Sequence, residues 1–187
     1  MQAQRHAWRA QQATLDPRHT VVVDETGATR AMTRTHGRAP PGERVVDTVP
    51  LRHWQVTSLL LALRPDGTQA SLSVPAAVDG PVFQTFVEAV LAPALHPGDV
   101  VIWDRLQPHQ MAGVTAAVER CGARVLPLPP YSPDLCPLDP CFATLKTFLR
   151  KVKARTQRAV EAALARGLAA LTPQAVKNCF RHCGYRV

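Results

Sequence analysis

Two short apolar runs in the hydrophobic pattern each end at an aspartate. The runs from Thr20 to Asp24 and from Asp99 to Asp104 are rich in Val and Ile, which is typical of buried β-strands. Charged side chains seldom end a core strand without a partner or a metal ion. We therefore expect Asp24 and Asp104 at the carboxyl ends of their strands, where open α/β sheets bind ligands. An aspartate that only begins a turn would give the same local pattern.

The rest of the pattern predicts further strands and amphipathic helices. The turn sequence Arg64-Pro-Asp-Gly67 separates two β-rich runs, 56–63 and 69–74, and predicts a hairpin. A further strand is predicted over 124–128, and residues 30–50 are interpreted as irregular strand and loop. Helical periodicity is found over 4–14, 80–95, 111–121, 142–152, 157–170 and 173–182. Alternating strands and helices favour a mixed α/β domain with a central sheet.

A third aspartate follows a proline-rich segment. Residues 127–140 contain six prolines, so they must be extended or turning. The pair Asp139-Pro140 predicts that Asp139 caps a helix whose first residue is proline. A carboxylate at a helix start can also project toward the strand ends. Three converging carboxylates would suit Mg²⁺ or Mn²⁺, and two such ions can support phosphodiester chemistry.

The positive charge is concentrated in the C-terminal part of the chain. The net charge is +8, and residues 143–187 contain ten Lys and Arg against one acid, or +9. Residues 1–142 therefore carry 8 − 9 = −1. Such a surface suits a polyanion such as DNA, although a solvated helix face has the same composition. The candidate DNA-binding residues are Lys146, Arg150, Lys151, Lys153 and Arg155.

The cysteines and the hydropathy narrow the class of protein. Five cysteines at irregular spacing do not look like a disulfide framework. Cys136 and Cys141 bracket a proline-rich turn, and Cys179 and Cys183 flank His182, but reduced, mostly buried thiols are favoured there over a zinc site. No apolar run is long enough to span a bilayer, and the first fifteen residues lack a secretory signal. We expect a cytoplasmic, nucleoid-associated protein without a membrane partner.

Three motifs resemble one known family. The segment 128–139, LPPYSPDLCPLD, with Phe142-Ala-Thr-Leu-Lys146 after it, closely resembles the PPYSPDLNP(I/L)E…FxxLK signature of bacterial insertion-sequence transposases of the Tc/mariner superfamily. Segments 21–27 and 98–104, the latter followed by His109, resemble the regions that carry the first two metal ligands. The 34 residues between Asp104 and Asp139 (139 − 104 − 1) match the spacing of this superfamily.

The resemblance implies both a fold and an activity. The fold would be RNase H-like, a five-stranded mixed sheet flanked by helices, here with a basic helical C-terminal tail. By resemblance, Asp24, Asp104 and Asp139 hold two Mg²⁺ or Mn²⁺ ions, with His109 and Arg105 beside them. The family cuts DNA at transposon ends and joins the freed 3′-OH to a target.

The chain departs from the family pattern at three positions. Arg105 and Cys136 stand where Asn is usual, and Asp139 replaces the commoner Glu. The first alternative is therefore a decayed or repurposed copy that binds DNA without cutting it. A second alternative, another RNase H-like nuclease, is disfavoured by the proline-rich signature.

The resemblance also predicts how the chain is organised. We expect an N-terminal helical remnant or arm (1–15), a catalytic domain (16–155) and a helical extension of that domain (156–187). Relatives carry N-terminal helix-turn-helix modules that recognise transposon ends, and here almost nothing precedes Asp24. Recognition of the DNA end is therefore expected to involve a helix-turn-helix partner chain or a homodimer.

Overall fold

The computed structural model describes residues 2–51 and 55–187 and contains one five-stranded mixed sheet. The strands are β1 (Thr20–Thr29), β2 (Val56–Leu63), β3 (Gln69–Val74), β4 (Val100–Trp103) and β5 (Arg124–Pro127). Their order is β3-β2-β1-β4-β5, with antiparallel pairs among the first three and parallel pairs from β1 to β5. This arrangement confirms the predicted mixed sheet and the predicted hairpin.

Helices cover both faces of the sheet. They are α1 (Gln2–Gln12), α2 (Gly80–Phe86), α3 (Ala112–Arg120), α4 (Leu138–Val152), α5 (Gln157–Ala169) and α6 (Pro173–His182). Helix α2 continues as a π-helical turn over Val87–Leu91 and a 3₁₀ turn over Ala92–Ala94. Further 3₁₀ turns lie at Pro17–His19, Gln107–Gln110 and Pro133–Leu135. The helices predicted from periodicity are thus confirmed, with small differences at their ends.

The alternation of side chains along β1 separates two cores. Val22 packs in the core formed with α4, α5 and α6, whereas Val21 and Val23 pack in the core formed with α2 and α3. Since successive side chains point to opposite faces, Asp24 continues the face of Val22 and Glu25 continues that of Val23. The two adjacent acids therefore belong to different sides of the sheet.

The prediction that Asp24 ends its strand is wrong. Strand β1 continues to Thr29, because β2 pairs with it antiparallel from Val22 to Thr29. The parallel pairing with β4 involves only Thr20 to Val22. Asp24 therefore lies just beyond the point where β1 separates from β4, and Asp104 follows directly after β4 at the same edge.

The prediction that Asp139 caps helix α4 is also wrong. The helix begins at Leu138 with Pro137 as the N-cap residue, and no side chain caps it. The backbone N–H of Asp139 donates to the carbonyl of Cys136 at 3.2 Å, which closes the turn before the helix. Asp139 therefore lies in the first helical turn, and capping does not engage its carboxylate.

A buried ion pair joins the hairpin to the start of β4. Asp99 is fully buried and accepts hydrogen bonds from Arg64 Nη1 and Nη2 at 3.1 and 2.5 Å, and from the backbone N–H of His96 at 2.7 Å. Burial alone would raise the pKa of Asp99, but the bonds from Arg64 outweigh it and lower the pKa. The pair fixes β2 relative to β4 at the edge opposite the aspartates.

The other structural predictions concern the cysteines, the long loop and the membrane. All five cysteines are free thiols, and Cys136, Cys141 and Cys183 are buried. Residues 30–51 form a loop without the irregular strand that the pattern predicted. None of the described helices is long and apolar enough to cross a membrane.

Candidate active site

The three predicted aspartates converge on one cavity of about 650 Å³. Asp24 enters from β1, Asp104 from the end of β4, and Asp139 from the first turn of α4. Single ligand atoms of Asp24, Asp139 and Cys136 lie within 4.8 Å of one another. Residues separated by more than a hundred positions thus form one acidic centre at the edge where β1 and β4 diverge.

Asp24 is the most perturbed of the three carboxylates. Burial raises its pKa to about 7, and repulsion from Glu25, Asp139 and Asp104 adds to this effect, while the backbone N–H of Glu25 opposes it. Burial also raises the pKa of Asp139, an effect that nearby Lys146 reduces. Like charges so close together are unfavourable without a proton or a cation between them.

A buried histidine positions the second aspartate. His109 lies in the 3₁₀ turn after β4, packed on the ring of Phe83 with centroids 4.0 Å apart. Its Nδ1 is 2.6 Å from Asp104 Oδ1, and its Nε2 is 3.3 Å from Glu25 Oε2. Burial by itself lowers the pKa of His109, but these two carboxylates outweigh it and raise the pKa to about 9.

Glu25 is the site residue that sequence reasoning did not assign. It lies on the opposite face of β1 from Asp24, toward the core that contains His109. The chain Glu25–His109–Asp104 thus links the two strands that carry the first two aspartates. Burial alone would raise the pKa of Asp104, but the bonds from His109 and from the N–H of Leu106 lower it. The alternation of side chains along β1, which places the residue after Asp24 on the other face, was the sequence signal that could have found Glu25.

The proline-rich loop forms a wall of the cavity and is anchored near its middle by two other parts of the chain. Arg5 of α1 donates to Ser132 Oγ at 2.7 Å and forms a bidentate pair with Asp134. The hydroxyl of Tyr185 donates to the carbonyl of Leu135 at 3.0 Å. Directly before Ser132, Tyr131 is 91% exposed and adopts a left-handed backbone with φ 50°. A non-glycine residue in this conformation is strained.

Arg105 also lines the cavity. Its Nε donates to the carbonyl of Leu128 at 3.3 Å, and the residue is exposed. The cation that replaces the family's usual Asn is therefore bound to the cavity wall beside Asp104.

The predicted DNA-binding residues divide into two groups. Lys146 and Arg150 line a second depression of about 370 Å³ that shares Asp139 and Glu25 with the acidic centre. Arg150 and Lys151 line the next depression along α4, together with Arg34. Basic side chains therefore extend from the carboxylates along the surface of α4.

The other two predicted DNA-binding residues have partners within the chain. Arg155 donates from Nη1 to the carbonyls of Arg30 and Met32 and from Nη2 to Thr33 Oγ1, so its guanidinium holds the start of the loop over 30–51. The Nζ of Lys153 lies 2.5 Å from Asp47 Oδ2, which neutralises its charge. Both side chains have partners because the long loop folds back onto the end of α4.

Comparison with protein families and solved structures identifies the fold. The model of the DDE superfamily endonuclease matches residues 19–161. The chain belongs to this family. The Mos1 transposase paired-end complex with the left transposon end has a TM-score of 0.72 and 21% identity, over 98% of this chain and 61% of that chain. No curated protein sequence matches the chain.

Two further structures define how much of a transposase the chain covers. The Mos1 strand transfer complex gives a TM-score of 0.74 at 21% identity, over 97% of this chain and 56% of that chain. The catalytic domain of Mos1 mariner transposase gives 0.61 at 17% identity, over 99% and 92%. The chain thus spans less than two thirds of the Mos1 chains in the complexes, but nearly all of the isolated domain. The predicted RNase H-like fold is confirmed.

The donor set of this member of the DDE superfamily fits a hard divalent cation. Asp24 and Asp139 bring oxygen atoms close together, Asp104 lines the same cavity, and their mutual repulsion is the kind that a bound cation relieves. Cys136 lies in the same cluster as Asp24 and Asp139, and it is the one member of that cluster whose donor atom is sulfur and not oxygen.

The raised pKa of Asp24 predicts how the metal-free protein responds to pH. An ordinary aspartate titrates near 3.8, whereas Asp24 titrates at about 7. Between these values the folded chain binds more protons than the unfolded chain, so this carboxyl makes stability fall as the pH rises. We expect the wild type in a chelator to lose more thermal stability from pH 4 to 7 than Asp24→Asn. Equal slopes in the two proteins would contradict this assignment.

Proposed function

We propose that this chain performs metal-dependent DNA strand cleavage and strand transfer in transposition. The observation that carries the proposal is the convergence of Asp24, Asp104 and Asp139 on one cavity beside the basic surface of α4. Family membership supports a nuclease, and the Mos1 relatives were solved with transposon-end DNA and with Mn or Mg. The proposed catalytic unit comprises residues 16–155, with helix α1 of the proposed arm (1–15) and the proposed extension (156–187) packed against it.

The proposed cofactor is Mg²⁺ or Mn²⁺, two ions per site. Asp24 and Asp139 would hold them together with Asp104. When bound, such ions activate the attacking oxygen and stabilise the leaving oxygen of a phosphodiester. The residues of the chain supply position and charge: His109 orients Asp104, while Lys146 and Arg150 neutralise the phosphates next to the scissile one.

The deciding experiment is a nicking assay with the purified chain. The substrate is labelled transposon-end DNA from the element that encodes the chain, incubated with Mn²⁺, with Mg²⁺ or with a chelator. We expect metal-dependent nicks at the transposon end. We propose that base-specific recognition of that end needs a helix-turn-helix module or a second copy of the chain. One set of reactions therefore contains a co-expressed helix-turn-helix partner.

The alternative is a protein that binds DNA without cutting it, and Arg105 is the observation that favours it. A fixed cation in the cavity beside Asp104 would oppose metal binding. Under this reading the wild type binds the DNA but leaves it intact, and Arg105→Asn restores nicking. Nicking by the wild type with either metal would reject the alternative.

A role for His109 in positioning predicts a specific loss of metal affinity. We expect His109→Ala to weaken Mn²⁺ binding about 10–100-fold, the usual cost of losing a partner that orients a metal ligand. His109→Asn, which can keep a donor near Asp104, should recover part of the loss. Titration calorimetry measures both variants, with the exposed His36→Ala as the control. Unchanged affinity in His109→Ala would reject the role.

The basic surface of α4 predicts a change in the salt dependence of DNA binding. Each phosphate contact to duplex DNA contributes about 0.9 to the slope of log K against log salt. We expect the double variant Lys146→Ala/Arg150→Ala to bind duplex DNA more weakly, with a slope smaller by about 1–2. Fluorescence anisotropy at several salt concentrations measures the slope. The exposed Arg158→Ala on α5 is the control, and an equal change in it would argue against a localised interface.

A further inference from the structure

A sulfur atom lies among the carboxylates of the acidic centre. Cys136 is 4% exposed, and its Sγ is 3.5 Å from Asp24 Oδ2. Donor atoms of Asp24, Cys136 and Asp139 all lie within 4.8 Å of one another. The three residues come from β1, from the turn before α4 and from α4 itself, so the cluster exists only in the folded chain.

The distances suit a small tetrahedral cation. Zinc bonds to sulfur are about 2.3 Å and to carboxylate oxygen about 2.0–2.2 Å, so at a tetrahedral angle the sulfur and oxygen ligands are about 3.5 Å apart. Before a metal binds, the thiol of Cys136 donates to Asp24 Oδ2 at 3.5 Å, which is close to this separation, so a cation can replace the thiol proton with little movement of either side chain. An octahedral Mg²⁺ with bonds of about 2.0–2.1 Å instead brings adjacent oxygen ligands to about 3 Å.

The backbone holds Cys136 and Asp139 in one rigid turn. The N–H of Cys136 donates to the carbonyl of Pro133 at 2.9 Å, and its carbonyl accepts the N–H of Asp139 at 3.2 Å. Tyr185 fixes the preceding Leu135 from the C-terminal side. Two of the three donors are therefore ordered before any ion binds, and all three residues line the cavity.

We propose that Asp24, Cys136 and Asp139 form a binding site for a thiophilic divalent cation of the Zn²⁺ and Cd²⁺ class. Soft thiolate ligands select such ions, whereas oxygen-only sites suit Mg²⁺ and Mn²⁺. Binding releases the thiol proton to solvent and forms one metal–sulfur bond. Because Asp24 and Asp139 also belong to the proposed catalytic centre, this ion competes with Mg²⁺ and Mn²⁺ for the cavity.

The probe is Cd²⁺ added to the purified full chain under reducing conditions with a non-thiol reductant. Cadmium bound to thiolate has an ultraviolet charge-transfer band that oxygen ligands do not produce. We expect a band that saturates at one ion per chain in the wild type. Cys136→Ser should lose the band and bind Cd²⁺ at least about tenfold more weakly, since even indirect partners of a metal cost 10–100-fold. Cys183→Ser, the matched buried thiol, should keep the band.

Two results would overturn the proposal. One is a wild type without the band at millimolar Cd²⁺. The other is a band that persists in Cys136→Ser, which would place the ion at the neighbouring thiols of Cys141, Cys179 and Cys183 instead. Thermal unfolding checks that Cys136→Ser is folded. Cys136→Asn, which carries the residue usual in the family, is the second variant that removes the thiol. The readout does not involve DNA, so a chain that fails to nick DNA can still show the band.

Discussion

Asp24→Asn is expected to lower the rate of metal-dependent DNA cleavage by at least about a thousandfold. A bound cation contributes several kcal/mol to the stabilisation of charge in phosphoryl transfer, and each 1.36 kcal/mol is a factor of about ten in rate. Asp24 brings a carboxylate oxygen within 4.8 Å of donor atoms of both Asp139 and Cys136, so its charge is central to the site. Initial rates of nicking with Mn²⁺ measure the effect.

Two companion variants separate chemistry from folding. Asp104→Ala should show a similar loss, whereas Asp66→Asn, in the exposed hairpin turn, should cleave at the rate of the wild type. Binding of Asp24→Asn to duplex DNA should persist, because the basic surface of α4 is untouched. If Asp24→Asn cleaves within tenfold of the wild type, the site does not use this carboxylate.

Asp99→Ala is expected to lower the free energy of unfolding by about 3–5 kcal/mol, the usual effect of removing one partner of a buried ion pair. The change leaves the guanidinium of Arg64 in the interior without its carboxylate, and it removes the acceptor for the N–H of His96. Urea unfolding at neutral pH measures the loss as a lower midpoint.

The pH dependence gives this prediction a second test. The pKa of Asp99 is lowered in the folded chain, so its contribution is present above the ordinary pKa and is lost as the pH falls. The difference between wild type and Asp99→Ala should therefore shrink in acid. The control is Asp16→Ala, which removes an exposed pair with Arg18 and should change stability far less. An equal effect in the two variants would argue against a buried ion pair.

Most secondary structure follows from local pattern. The apolar runs before Asp24 and Asp104 form β1 and β4, because β-branched side chains buried on both faces favour strands. The turn between 64 and 67 forms the predicted hairpin. Helix α4 buries the predicted apolar stripe, with Phe142, Leu145 and Leu149 in the core.

Local pattern is least informative where a distant partner decides the local structure. Asp24 resembles a strand end, yet β2 pairs with β1 as far as Thr29 and extends the strand past the acid. Arg155 resembles other basic tail residues, yet its guanidinium is used by the loop that begins at Arg30. In both cases the deciding hydrogen bonds come from residues at least 25 positions away, which a local window does not include.

The residues of the candidate site divide in the same way. The order of Asp24, Asp104 and Asp139 and the motifs that flank them are visible in the sequence, and they were sufficient to place the protein in the DDE superfamily. Their convergence, the contact of His109 with Glu25, and the approach of Cys136 to Asp24 exist only after folding. The sequence by itself determined where the strands form and which residue types follow them, because both depend on neighbours along the chain. The tertiary structure alone decided their distances and pKa values, because these depend on burial and on charges brought in from other strands and helices.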